Sequence, residues 1–208
     1  LDAAIQLVGA ISARMATERA GADEELATLR RHIEHVAQVV LTQNRYARTV
    51  SVAEAASPAA LIDEAIALAC PEAERKGIAI ERDIACDGAV PLDRHRVLQV
   101  LVNLISNARD AVLAGTGDKT IRIRAELVDG SLRIAVADTG VGFAIADGAR
   151  IFQAGFTTKP HGHGYGLHSS AIAAQQLGGT LRCTSAGHGR GAKFSLQIPI
   201  VEKEPSHA

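Results

Sequence analysis

Arg96-Val97-Leu98-Gln99-Val100-Leu101-Val102-Asn103-Leu104-Ile105-Ser106-Asn107-Ala108-Arg109-Asp110-Ala111 is the stretch on which the fold turns. Its apolar residues Val97, Leu101, Leu104 and Ile105, continued by Val112, recur at helical spacing. Asp93 supplies a capping residue before the run, and Gly115-Thr116-Gly117 stops it. The helix is therefore amphipathic, but its polar face is unusual. Asn103 and Asn107 lie four apart and Asp110 three further on, so all three share one face beside the apolar stripe. Mg²⁺ bound to phosphates takes few protein ligands, all oxygen, and a neutral amide suits a site already crowded with phosphate charge. On residue type alone, a polar helix face in water fits equally well.

Working outward toward the C-terminus, Ile121, Ile123, Ala125 and Leu127 alternate with Arg122, Arg124 and Glu126. The pattern resumes across Asp129-Gly130 as Leu132, Ile134 and Val136. This is a β-hairpin with a two-residue Asp-Gly turn. The second strand runs into Asp138-Thr139-Gly140-Val141-Gly142-Phe143, which puts a carboxylate at a strand end and glycines where backbone must approach something closely. That carboxylate could accept a hydrogen bond from an adenine amino group, although Asp and Gly are also the usual residues of a plain turn. Residues 139–165 form a long glycine-bearing loop. Gly162-His163-Gly164-Tyr165-Gly166-Leu167 then opens a helix expected over 167–177, where backbone N–H groups and the helix dipole could face a phosphate. No strand immediately precedes these glycines, and no parallel βαβ unit follows them, so a dinucleotide fingerprint is excluded. Gly178-Gly179 suit the C-cap, and Thr180–Thr184 and 192–200 read as two further strands.

Toward the N-terminus, Ser57-Pro58 starts a helix carried by Leu61, Ala65 and Leu68 to about Ala73, with Lys76-Gly77 as its end and a short strand through Ile78, Ile80 and Ile84. Upstream of a boundary near 50–57, Leu26, Leu29, Ile33, Val36, Val40 and Ala47 alternate spacings of three and four. Ile5, Val8 and Ile11 form a looser stripe, and Ala20-Gly21-Ala22-Asp23 breaks between the two. This is an antiparallel helical hairpin whose apolar face calls for a second copy in a four-helix bundle. The expected organisation is a dimerisation hairpin over 1–52, an α+β domain over 57–200 with helices on one face of a mostly antiparallel sheet, and a frayed tail over 201–208.

The 208 residues are 47% apolar and 22% charged, with a net charge of −1 and no Trp, as in an ordinary globular chain with an aliphatic core. There is no basic run for nucleic acid or anionic lipid. Cys70, Cys86 and Cys183 are widely spaced and form no C-x-x-C pair, which favours reduced cytosolic thiols over zinc. No stretch approaches the roughly 20 apolar residues of a membrane span, and no basic start followed by an apolar run marks a signal peptide, so no membrane contact by this fragment is expected. The chain begins at Leu1 without methionine and already in helical pattern, as expected of a fragment.

Taken in order, Asn103–Ala111, Asp138–Gly142, Phe152-Gln153-Ala154-Gly155-Phe156-Thr157-Thr158-Lys159 and Gly162–Leu167 resemble the Asn, first glycine, phenylalanine and second glycine boxes of sensor histidine kinases. The resemblance covers roughly 58–200. It implies the Bergerat ATP-binding fold of the GHKL superfamily, an α/β sandwich with the long loop as a mobile lid. It further implies a homodimeric cytoplasmic kinase using ATP and Mg²⁺, relaying phosphate from a His to an Asp of a response regulator, with a parent protein either soluble or membrane-anchored. By position, Asn107 would hold Mg²⁺, Asp138 would bind the adenine amino group, and Gly140 and Gly142 would line the base. Asn103 would sit by metal and phosphates, Lys159 would reach phosphate from the lid, and Gly162, Gly164 and Gly166 would cradle the phosphate chain. Phe152, Thr158, His163, Tyr165, Leu167 and Asp110 complete the implied ATP site. Tyr165 and His168 stand where many members carry smaller or less polar residues, and Asp110 replaces a basic residue of other branches. Arg31–Val36 and Gln43–Arg48 resemble the second helix of the dimerisation and phosphotransfer region.

A histidine kinase needs an acceptor imidazole on the first bundle helix, yet Leu1–Met15 holds no His. His32 and His35 match by type only, and His161, His163 and His168 lie in or beside the lid, so the acceptor is expected upstream of Leu1. Chaperone- and topoisomerase-type ATPases of the same superfamily place a catalytic Glu where Asn103 stands and need a following transducer domain. Anti-sigma-factor Ser kinases lack the leading hairpin. A dimeric scaffold that only senses nucleotide is the remaining rival.

Overall fold

The computed structural model describes residues 53–86, 88–159, 162 and 164–200, together with Arg14, Met15 and Arg19. The chain divides into two compact units, Leu1–Ser51 and Val52–Ala208. In the first unit, Arg14, Met15 and Arg19 are helical. The rest of the expected hairpin, with His32 and His35, lies outside the described residues, as do His161, His163 and the tail after Ile200.

The second unit runs β1 (Glu54–Ala56), α1 (Pro58–Ala69), β2 (Ala79–Ala85), β3 (Val90–Leu92), α2 (Arg94–Ala114), β4 (Thr120–Val128), β5 (Ser131–Asp138), a 3-10 turn (Ile145–Asp147), α3 (Gly166–Gln176), β6 (Thr180–Thr184) and β7 (Ala192–Pro199). Five strands form one sheet in the order β2-β4-β5-β7-β6, in which the β2–β4 pair alone is parallel. This is the expected mixed, mostly antiparallel α+β layer.

Alternation along the strands makes the sheet two-faced. On β4 and β5, Ile121, Ile123, Ala125, Leu132, Ile134 and Val136 are fully buried. The opposite face of β2 and β4 carries charge, with Arg122 paired to Glu81 at 2.6 Å and Arg124 to Asp83 at 3.5 Å. The buried face receives α2, whose Val97, Val100, Leu101, Leu104, Ile105, Ala108 and Val112 are the buried set of a helix with one apolar stripe. At 21 residues α2 is long and apolar enough to cross a membrane by length and composition, more than the sequence reading allowed, but its stripe is packed in the core of this unit. Asp93 caps it as expected, its Oδ1 accepting from the Arg96 amide at 3.0 Å. Asp129 (φ 51°) and Gly130 (φ 69°) both take the left-handed conformation that a type I′ hairpin turn requires. At the C-terminus of α3, Gly178 (φ 72°) donates to Gln175 and Gly179 to Ala174, which closes the helix in a Schellman motif.

One helix end is corrected. α1 ends at Ala69 rather than near Ala73, because Pro71 has no N–H to continue the ladder and pushes Cys70 out of helical conformation (φ −132°, ψ 53°). Lys76-Gly77 closes the turns after it. The division between the two units, after Ser51, falls within the segment 50–57 read as a boundary, and the same segment also contains β1, which pairs antiparallel with β3 in a separate two-stranded ribbon.

Candidate functional site

The site lies where α2, the C-terminal end of β5, the lid loop and the N-terminus of α3 meet. Asp138 is the last residue of β5 and is 9% exposed. Its Oδ1 accepts from the Gly140 amide at 2.8 Å, and the Ala192 backbone amide on the neighbouring strand also bonds the carboxylate. Burial pushes this carboxyl above its ordinary value, against the lowering effect of those two amides.

Beyond Asp138 the chain is strapped on both sides. The Val141 amide donates to the Ala111 carbonyl of α2 at 3.2 Å, Gly191 donates to Gly140, and Gly189 donates to Val141. Phe143 N donates to Ser185 Oγ at 3.2 Å, and Thr139 Oγ1 accepts from the Thr120 amide at 3.0 Å. The close approach expected at the glycines is to the protein's own backbone. A Cβ on Gly140 would stand 2.3 Å from the Ala111 carbonyl carbon, and one on Gly142 (φ 59°) would stand 2.5 Å from the Gly187 oxygen.

Asn103 ties α2 to the start of α3. Its Nδ2 donates to the Gly166 carbonyl at 3.1 Å and to Ser170 Oγ at 3.2 Å, and Ser170, 1% exposed, donates to the same carbonyl at 2.9 Å. Ser170 had no role in the sequence reading. Its signal is the i, i+4 spacing from Gly166, which lets a Ser hydroxyl bond back to the carbonyl one turn earlier. Tyr165 sits at the N-cap, 41% exposed, and its side chain makes no capping bond to the first amides of α3. Leu167 packs against the core, as does Phe152. His168 Nδ1 lies 2.9 Å from the Phe152 carbonyl and ties α3 to the base of the lid.

In the lid, Gly164 (φ 70°) accepts from Gly155 N at 3.1 Å, and Gly162 donates to the Lys159 carbonyl at 3.1 Å. A Cβ on either would collide at 2.3 Å, with Gly155 or with Thr157. These two glycines therefore fold the lid upon itself, in addition to any contact with a ligand. Thr158 is exposed. Lys159 reaches α2, its Nζ donating to Asn107 Oδ1 at 2.9 Å and to Asp110 Oδ2 at 2.7 Å. Asp110 Oδ1 is in turn gripped by Arg109, whose Nε and Nη2 lie 3.0 and 2.7 Å away. Burial works to raise the Asp110 carboxyl, but the hydrogen bonds and charges of Lys159 and Arg109 outweigh it and hold the group below its ordinary value.

From the middle of α2 toward its C-terminus the structure thus places Gly166 on Asn103, Lys159 on Asn107 and Asp110, and Gly140, two residues after the β5 carboxylate Asp138, close against Ala111. A family model described as histidine kinase-, DNA gyrase B- and HSP90-like ATPase matches residues 92–202. The two-component sensor PprA of Pseudomonas aeruginosa is 39% identical over 109 residues, 50% of this chain and 12% of PprA. The sensor protein FixL of Bradyrhizobium diazoefficiens is 31% identical over 144 residues, 69% of this chain and 28% of FixL. The chain therefore spans well under a third of either relative. Among solved structures, full-length ShkA in complex with AMPPNP superposes with a TM-score of 0.64 at 29% identity, covering 73% of this chain and 32% of ShkA. The catalytic domain of the histidine kinase ThkA superposes at 0.62 with 26% identity, over 71% of this chain and 95% of that domain.

Proposed function

Because the chain belongs to the histidine kinase-, DNA gyrase B- and HSP90-like ATPase family, we propose that it is the ATP-binding, catalytic part of a sensor histidine kinase, loaded with Mg·ATP and passing the γ-phosphoryl to a histidine for relay to a response-regulator aspartate. The supporting observation is the meeting of Asn107, Asp110 and Lys159 at one end of α2, in a unit whose neighbouring strand ends on the buried carboxylate of Asp138. Dimerisation through the segment 1–52 and a cytoplasmic location belong to the same proposal.

The residues fit the metal. Asn107 Oδ1 and Asp110 Oδ2 converge on a cation, the Lys159 ammonium, so this face of α2 is built to hold positive charge. Asn107 would hold the ion, which when bound neutralises developing phosphate charge. The chain's own groups do the rest, since phosphoryl transfer depends mainly on positioning and electrostatics. Asp138 takes the adenine amino group. The first amides of α3 face the phosphates. Asn103, bound to Gly166 and Ser170, fixes where that helix begins, and Lys159 neutralises phosphate charge from the lid.

The reading carries a pH dependence. Ionised Asp138 accepts from adenine with both oxygens and more strongly than the protonated acid, and its carboxyl is raised. Mg·ATP affinity is therefore expected to fall, on acidification, at a pH above the ordinary carboxylate value of about 3.9. Stability moves the other way through this group. A folded-state pKa above the unfolded value means that the native protein binds the proton more tightly, so protonating Asp138 stabilises the fold, and this contribution is lost as pH rises through the raised pKa. Nucleotide titrations and melting curves between about pH 4 and 7 separate the two. A constant affinity across this range would contradict the assignment.

Transfer itself is tested with γ-labelled ATP. Acid-labile label on the chain, lost in His32→Ala or His35→Ala, would place the acceptor within it. Label on an added histidine-bearing helical segment would place the acceptor there. Label on neither, at saturating Mg·ATP, would overturn the kinase reading.

A further inference from the structure

Asp110 meets the lid through Lys159, and beyond joining Asn107 around that ammonium the nucleotide reading gives it no contact with the nucleotide itself. As a carboxylate it would repel phosphate, yet it stands three residues from Asn107 on the same face of α2. It is also aimed: Arg109 forks one of its oxygens, and Arg109 is held in turn by the Ala69 carbonyl at 2.5 Å and Ser106 Oγ at 3.0 Å. The other oxygen points at Lys159. The lid is wound to meet it, with Lys159 N donating to Thr157 Oγ1 and the Lys159 carbonyl accepting from Gly162.

We propose that Asp110 is a positioning residue for the lid: it docks Lys159 over Asn107, so that the ammonium covers the amide oxygen Mg²⁺ would use, until the phosphates of an incoming nucleotide draw Lys159 away. The proposal rests on the Mg·ATP reading above. The direction of the exchange follows from charge. A triphosphate presents several negative charges against the single carboxylate of Asp110, so Lys159 transfers to the phosphates and Asn107 is uncovered in the same step. The pair is partly exposed, with Lys159 at 43% and Asp110 at 35%, which limits its strength to that of a surface ion pair and makes it easily exchanged.

The test is amide hydrogen exchange over lid residues 153–159 in the whole chain, for wild type, Asp110→Asn and Lys159→Met, with and without saturating Mg·ATP. Without nucleotide, both variants are expected to exchange about two- to fivefold faster than wild type, the range that a surface ion pair supports. With Mg·ATP, Asp110→Asn is expected to match wild type, because Lys159 is then on the phosphates, while Lys159→Met stays fast. Wild-type exchange rates in nucleotide-free Asp110→Asn would overturn the proposal. So would an acceleration that persists undiminished with Mg·ATP, which is what a merely structural role predicts. A wild-type lid indifferent to Mg·ATP would instead remove the nucleotide reading on which the proposal rests.

Discussion

Asp138→Asn is expected to lower Mg·ATP affinity by about ten- to a hundredfold while leaving the domain folded. The size follows from losing a hydrogen bond to a charged acceptor, worth about 1.5–3 kcal/mol. Asparagine can still accept the Gly140 amide bond now made to Oδ1 at 2.8 Å, so the turn after β5 survives. Its NH₂ group, however, presents a donor where the adenine amino group needs an acceptor. Removing the buried negative charge also lifts its desolvation penalty, which offsets the weakening of the Ala192 amide bond to the lost carboxylate oxygen, so the melting temperature is expected to change little. Calorimetric titration and thermal melting on the same samples check both halves. Unchanged affinity would remove Asp138 from the site, and a large loss of stability would show that the carboxylate is structural.

Gly140→Ala is expected to destabilise the domain by about 3 kcal/mol, the upper end of ordinary overpacking, which corresponds to a melting temperature lower by about 6–12 °C. The new Cβ would lie 2.3 Å from the Ala111 carbonyl carbon, 2.5 Å from its oxygen and 2.6 Å from the Val112 nitrogen. All three are backbone atoms inside α2, so no side chain can rotate away. The chain cannot retreat easily either, because Val141 is bonded to Ala111 on one side and Gly191 to Gly140 on the other. Gly117→Ala is the control. A Cβ there meets nothing within 4 Å, and the change should stay within about 0.5 kcal/mol. Equal stability in the two variants would show that the approach of β5 to α2 is looser than described.

What could be read from the sequence followed the range of the interactions. α2 was legible because its signals are local: an apolar stripe of three- and four-residue spacing, Asp93 before it and Gly115 after it. The β4–β5 hairpin was legible because Asp129-Gly130 is specific for its turn. The end of α1 was misplaced because the stripe continues past Cys70 and outweighed the signal of Pro71. β1 was invisible, since three residues show no period and its partner is β3, on the far side of α1 and β2.

The site divides along the same line. Asn107 and Asp138 announced themselves by residue type, spacing and position at element ends. The binding of Asn103 to Gly166 and Ser170 did not, because those partners lie 63 and 67 residues away and only the fold brings them together. Gly140 was recognised as a place of close approach, but periodicity cannot say what is approached, and α2 proves to be the partner. Lys159 was expected to reach toward phosphate. Its docking on Asp110 depends on a lid geometry set by Gly162 and Gly164, which no local pattern encodes.

The central assignment, a metal-nucleotide site on the polar face of α2, is tested most directly with Mn²⁺ in place of Mg²⁺, because a paramagnetic ion broadens nearby nuclear signals with a steep dependence on distance. With Mn·ATP bound, the side-chain amide resonances of Asn107 should broaden first and most, those of Asn103 less, and ATP without metal should broaden neither. Broadening centred elsewhere in the domain, or none at saturating Mn·ATP, would contradict the account.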